Sequence, residues 1–217
     1  MTLSIREPGS ALTHFVGVIL TILAAFPLLL KSEATGNSLM VLAMSIFIIS
    51  MVALYLASTL YHTVTASDRI LRIFRKVDHM MIFILIAGSY TPFCLITLHN
   101  SKGNVLLAAV WICAFCGMLL NVLWITCPKW LSSIIYITMG WLCVWVFKDL
   151  YLSLPTSAFY WLLIGGVVYT VGGVIYALKL PLFPPKKFFG NHELFHVFVL
   201  IGSMCHFICM YTFIGYM

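Results

Sequence analysis

Charge is what this sequence most lacks. Of its 217 residues only 8% are Asp, Glu, Lys or Arg, while 63% are hydrophobic. A water-soluble domain carries about 25% charged residues to cover its surface, so a soluble globule is excluded. No stretch rich in Pro, Ser or Gly has the composition of a linker, and no internal repeat is visible. The expected organisation is therefore one integral membrane domain over residues 1–217. A disulfide framework is also missing. The seven cysteines (Cys94, Cys113, Cys116, Cys127, Cys143, Cys205 and Cys209) lie in or beside apolar runs, where thiols behave as small hydrophobes. Cys113 and Cys116 form a CxxC, but with no second pair beside it the expected role is packing. The net charge of +6 comes from twelve basic residues scattered over loops. They form no basic domain, so nucleic acid is excluded as a partner.

What is present is apolar sequence in long runs. Each bilayer crossing takes roughly 20 apolar residues, and reading between polar breaks predicts seven spans. They cover 11–30, 38–61, 78–98, 104–126, 131–147, 158–178 and 191–215. The breaks are Lys31 to Asn37, Ser67 to Lys76, His99 to Gly103, Pro128-Lys129, Lys148 to Pro155 and Lys179 to Gly190. The apolar run near the N-terminus is longer than a signal-peptide core and lacks a small-residue cleavage site, which predicts a retained first helix. Gly165-Gly166 and Gly172-Gly173 suit close helix packing. The fold class is thus all-α, a seven-transmembrane helix bundle.

Basic residues set the expected orientation. With a cytoplasmic N-terminus, the inner side holds Arg6, Arg69, Arg72, Arg75, Lys76, Lys129, Lys179, Lys186 and Lys187. The outer side then holds only Lys31, Lys102 and Lys148. The positive-inside rule predicts the N-terminus cytoplasmic and the C-terminus outside, opposite to a G-protein-coupled receptor.

Ionisable groups at membrane depth cost roughly 2.5–3.5 kcal/mol or more, so each needs a reason. In this topology several converge on the inner end. The second span closes with Ser58-Thr59-Leu60-Tyr61-His62, the third opens with Val77-Asp78-His79, and the seventh opens with Asn191-His192-Glu193-Leu194-Phe195-His196. His192 and His196 stand one helical turn apart on one face, as two imidazoles binding one metal must. His62 can add a third nitrogen. Three protein ligands with an open position is the catalytic zinc pattern. Ser58, one turn deeper than His62, is placed to contact a water at that position or to hydrogen-bond a neighbouring helix, and Asp78 to act as the water's base or to orient a ligand. His79 and His99 read as interfacial residues. His206 sits deeper in the last span, as a cavity or packing residue, and Glu7 and His14 flank the start of the first helix.

Residues His192 to His196 also spell HExxH, which in zincin proteases makes the Glu a general base, here Glu193. No further acidic residue completes such a site, so the protease reading stands well behind.

The combined pattern of Ser-x-x-x-His, Asp and His-x-x-x-His resembles the hemolysin III family. That family belongs with the progestin and adipoQ receptors and, more distantly, the alkaline ceramidases. Glu7-x-x-Ser10-x-x-x-His14, Ala57-Ser58-Thr59-Leu60-Tyr61-His62 and Ala87-Gly88-Ser89-Tyr90-Thr91-Pro92-Phe93 are similar to its bacterial branch, with Ser10 where Asn is expected. The resemblance implies that His62, His192 and His196 bind zinc, with Asp78 and Ser58 near the metal-bound water. It implies seven helices in the cell membrane with a cytoplasmic N-terminus, and membrane lipids as partners. Some relatives hydrolyse ceramide-like amides and others act as receptors, so fold alone does not assign a reaction. The leading expectation is a zinc-dependent hydrolase of a lipid or amide substrate. Behind it stand a non-catalytic membrane-homeostasis or receptor-like protein braced by zinc, and a cytolysin. A secreted pore-former must be soluble before insertion, which these spans are not. No motif specifies an oligomeric state.

Overall fold

The computed structural model describes residues 5–124, 127–180 and 189–214. Among these residues the chain is helical, with eight α-helices forming seven segments long and apolar enough to cross a membrane. Helix α1 runs Pro8–Ala34, α2 Ser38–Thr63, α3 Asp68–Pro92, α4 Ser101–Leu123, α5 Lys129–Gly140, α6 Phe147–Ser153, α7 Thr156–Leu178 and α8 Asn191–Thr212. Helices α5 and α6 share the fifth span. Large apolar side chains such as Leu23, Phe26, Ile49, Leu123 and Leu152 point outward. A bilayer covers such a surface; water would not. The inside holds Met40, Met44, Phe47, Tyr55, Phe83 and Met210.

Local chemistry explains the ends. Pro8 occupies the first turn of α1, where its missing N–H is no loss. Asn37 caps α2 through its side chain, accepting from the Leu39 and Met40 amides, and Asn100 caps α4 by accepting from Gly103 N–H. The expected span 104–126 runs two residues past Trp124, where the described stretch ends, and 125–126, like Lys186, Lys187 and 215–217, lie outside the described residues.

Two breaks differ from expectation. Ser67 to Lys76, expected as a polar connection, is mostly the first turns of α3. Arg69 and Arg72 are exposed there, and charges on an exposed helix face do not stop the helix. The fifth span runs on to Ser153 and carries Lys148 within α6. It bends instead at Gly140, through a tight 3₁₀ turn over Leu142–Val146. Tyr90 of α3 serves the exposed backbone there. Its hydroxyl donates to Gly140 O (2.6 Å), with Met139 O 3.3 Å away, and accepts from Cys143 N–H (3.0 Å). Backbone groups freed by a bend inside a membrane need such a partner.

Candidate metal centre

Chain reversals at one end of the bundle gather α1, α2, α3 and α8. Glu7 N–H donates to His62 O at 3.0 Å and Arg6 donates to Tyr61 O at 2.7 Å, so the segment before α1 closes the end of α2. Helix α8 packs on α1 and α7. His62, His192 and His196, from helices 130 residues apart in sequence, meet there. Their ligand atoms all lie within 4.8 Å of one another, with His62 and His196 buried.

Two of the rings are aimed by partners in or just before α1. Glu7 Oε2 hydrogen-bonds His62 Nδ1, and a carboxylate can only accept, so Nδ1 carries the proton and Nε2 the lone pair. Thr13 Oγ1 gives its single proton to Ser10 O (2.8 Å), so it accepts from His196 Nδ1–H at 3.0 Å. That again leaves Nε2 free to ligate. Outer partners fixing the tautomer are what metal-binding histidines ordinarily have. The Nε2 atoms of His62 and His192 are 3.2 Å apart. Two nitrogens about 2.05 Å from a tetrahedral zinc stand about 3.3 Å apart. The three residues therefore fit a divalent metal of zinc type.

Ser58 and Asp78 are buried and line the same cavity as His192 and His196. Asp78 lies within electrostatic reach of Ser58, whose hydroxyl makes no hydrogen bond of ordinary geometry. The cavity encloses about 170 Å³. Away from the histidines its wall is largely apolar, with Leu85, Ile86, Phe93, Phe147 and Leu162. At its near end stand Arg75 and Lys129.

Several residues change role from the sequence expectation. Glu7, at the start of the first helix as expected, also hydrogen-bonds a metal-site histidine. His14 is stacked on His196, ring centroids 3.7 Å apart and planes within 7°. Ser10 donates to Glu193 Oε1, while Glu193 Oε2 accepts Gly190 N–H at 2.8 Å. Both Glu193 oxygens are thus occupied in holding the start of α8 to α1, and the zincin reading loses its base. Thr13 went unnoticed. Its signal was a polar residue beside His14 in the first turns of an otherwise apolar helix. His79 lines the cavity outside the three-histidine group, and His99 is exposed. Cys113 and Cys116, expected to pack, are exposed on α4, and all seven thiols are free.

The model of the family described as "Haemolysin-III related" matches residues 3–207. This chain belongs to that family. It is 37% identical to Hemolysin-3 of Bacillus cereus over 94% of this chain and 90% of the relative. It is likewise 37% identical to the Hemolysin-3 homolog of Bacillus subtilis, over 94% and 92%. More distantly, it is 25% identical to Progestin and adipoQ receptor-like protein 1 of Caenorhabditis elegans, over 93% of this chain and half of that one. As a haemolysin-III related chain with seven apolar spans, it is a multi-pass membrane protein.

Proposed function

We propose that this haemolysin-III related protein is a zinc-dependent hydrolase of an amide or related lipid drawn from the bilayer. The single observation behind this reading is the meeting of three histidines, a carboxylate and a hydroxyl at one end of an apolar cavity. His62, His192 and His196 hold the ion. When bound, zinc supplies Lewis acidity toward a carbonyl and a nucleophile at neutral pH. Asp78 takes the proton from the attacking water on its carboxylate and delivers it to the leaving nitrogen. Ser58 Oγ–H, beside Asp78, orients the reacting oxygen. The apolar wall receives the acyl chain and excludes water. In this reading the whole chain is one membrane domain of the cell membrane with its N-terminus cytoplasmic. The site then lies just under the inner leaflet, beside Arg69, Arg72, Arg75 and Lys76.

The test is metal analysis joined to a lipid-amide turnover assay on purified protein. We expect about one zinc per chain, lost in His196→Ala. We expect Asp78→Asn to keep the metal while losing at least about 10²-fold in turnover. Metal-free wild-type protein, or undiminished turnover in Asp78→Asn, overturns the reading. A bracing role is favoured by a different observation, the Glu7–His62, Thr13–His196 and Ser10–Glu193 bonds that tie α1 to the site. Zinc without hydrolysis across a broad lipid screen, together with a Tm lowered by several degrees in His62→Ala, would select it.

A further inference from the structure

One polar side chain deep in the bundle has no part in the metal centre. His206 lies on α8, ten residues beyond His196, which is roughly 15 Å along the helix axis. It is 9% exposed, and neither ring nitrogen makes a hydrogen bond of ordinary geometry. Its surroundings are apolar or already satisfied. Phe93 meets the ring edge-on. Tyr55 and Tyr169 both hydrogen-bond Ser203 Oγ, at 2.6 and 2.7 Å, and so complete one another. The Leu162 carbonyl stands alongside the imidazole, and an acceptor can serve only a ring N–H. A neutral imidazole also has a lone pair on its other nitrogen, and that needs a donor. Leaving a buried polar group unmatched is costly, so an unmatched nitrogen in an apolar wall calls for a role.

The ring is held in the wall on purpose-shaped ground. A Cβ at Gly165 would fall 2.4 Å from His206 Cδ2 and 2.7 Å from its Nε2. Only glycine on α7 leaves room for the imidazole. His206 and His196 both line the same continuous cavity, as do the apolar residues beyond, Leu98, Leu106 and Leu150.

We propose that the cavity takes a long-chain amphiphile carrying a hydroxyl in mid-chain, and that His206 accepts the hydrogen bond from that hydroxyl. The roughly 15 Å between the two histidine levels equals about twelve extended methylenes. The substituent therefore sits near the twelfth carbon from the end held at the metal centre. A donor is specified: a hydroxyl satisfies the lone pair, whereas a keto oxygen at the same carbon cannot. The proposal rests on the functional reading above only for which end of the ligand lies at the three histidines.

The experiment uses binding, with no turnover required. Purified wild-type protein is titrated with stearate, 12-hydroxystearate and 12-oxostearate by competition against a fluorescent fatty acid. We expect 12-hydroxystearate to bind about fivefold more tightly than either of the others. His206→Leu, which keeps the bulk and stays apolar, should remove the preference while still binding stearate. His206→Asn, which keeps an acceptor, should retain part of it. Equal binding of the three acids by wild-type protein overturns the proposal, as does an undiminished preference in His206→Leu. Because the wild-type comparison needs no variant, poor folding of a mutant does not rescue the idea. A protein that hydrolyses nothing but discriminates the hydroxyl sinks the enzymatic reading alone. Hydrolysis without discrimination sinks only this one.

Discussion

At the residue scale, the partners behind the histidines decide how well a metal is held. Glu7 fixes the tautomer of His62 and supplies negative charge close to a prospective cation. Glu7→Gln keeps the shape but removes that charge. Loss of such a partner ordinarily weakens metal affinity 10–100-fold. We expect a shift of that size in competition against a metal chelator, with thermal stability of the metal-free protein little changed. An unchanged affinity would show that Glu7 only closes the end of α2. The three ligands themselves were legible in the sequence, because an i, i+4 pair of histidines declares a shared helix face. Their supports were not. Glu7, Ser10 and Thr13 act across more than fifty residues of chain, and nothing local marks a residue whose partner is that remote. Glu193 was misleading for the same reason: its neighbours in sequence spell a protease motif, while its neighbours in space are Ser10 and the Gly190 amide.

At the element scale, hydrophobic length located every span, while the details of each end depended on contacts. The fifth span is the instructive case. Sequence placed its end before Lys148 because a polar break begins there, yet the helix continues once the chain has bent at Gly140. The neighbouring Asp149 pairs with Lys102 at 2.9 Å near that end. The bend depends on Tyr90. Tyr90→Phe removes the hydroxyl that serves Gly140 and Cys143, leaving backbone groups unmatched in an apolar setting. We expect a destabilisation of about 1–3 kcal/mol, read as a lowered Tm in detergent. Close helix approach supplies a second case. At Gly88 an added Cβ would come within 2.3 Å of Ser50 Oγ on α2. Gly88→Ala should therefore cost about 1–3 kcal/mol by forcing α2 and α3 apart. A neutral outcome in the same melting experiment would mean that Ser50 rotates away freely.

At the scale of the whole molecule, the ends of the helices sort the charges. Among the described residues Arg6, Arg69, Arg72, Arg75, Lys76, Lys129 and Lys179 belong to the end that carries the histidines. Lys31, Lys102 and Lys148 belong to the other. The positive-inside rule then expects the histidine end in the cytoplasm. A reporter fused after residue 217 should be active only when it is of a type that works outside the cell. Activity of a strictly cytoplasmic reporter there would invert the arrangement and remove the site from the inner leaflet.

The centre is assembled largely from the two ends of the chain: the start of α1 and the residue before it provide Thr13 and Glu7, and α8 provides two of the three imidazoles. During synthesis, α1 enters the bilayer with its polar face unmatched and must wait for nearly the entire polypeptide to follow. A chain that stops before residue 191 has six hydrophobic segments and only one histidine of the three-histidine group, His62. An ion held by all three histidines can therefore be loaded only once residues 192 and 196 have been made.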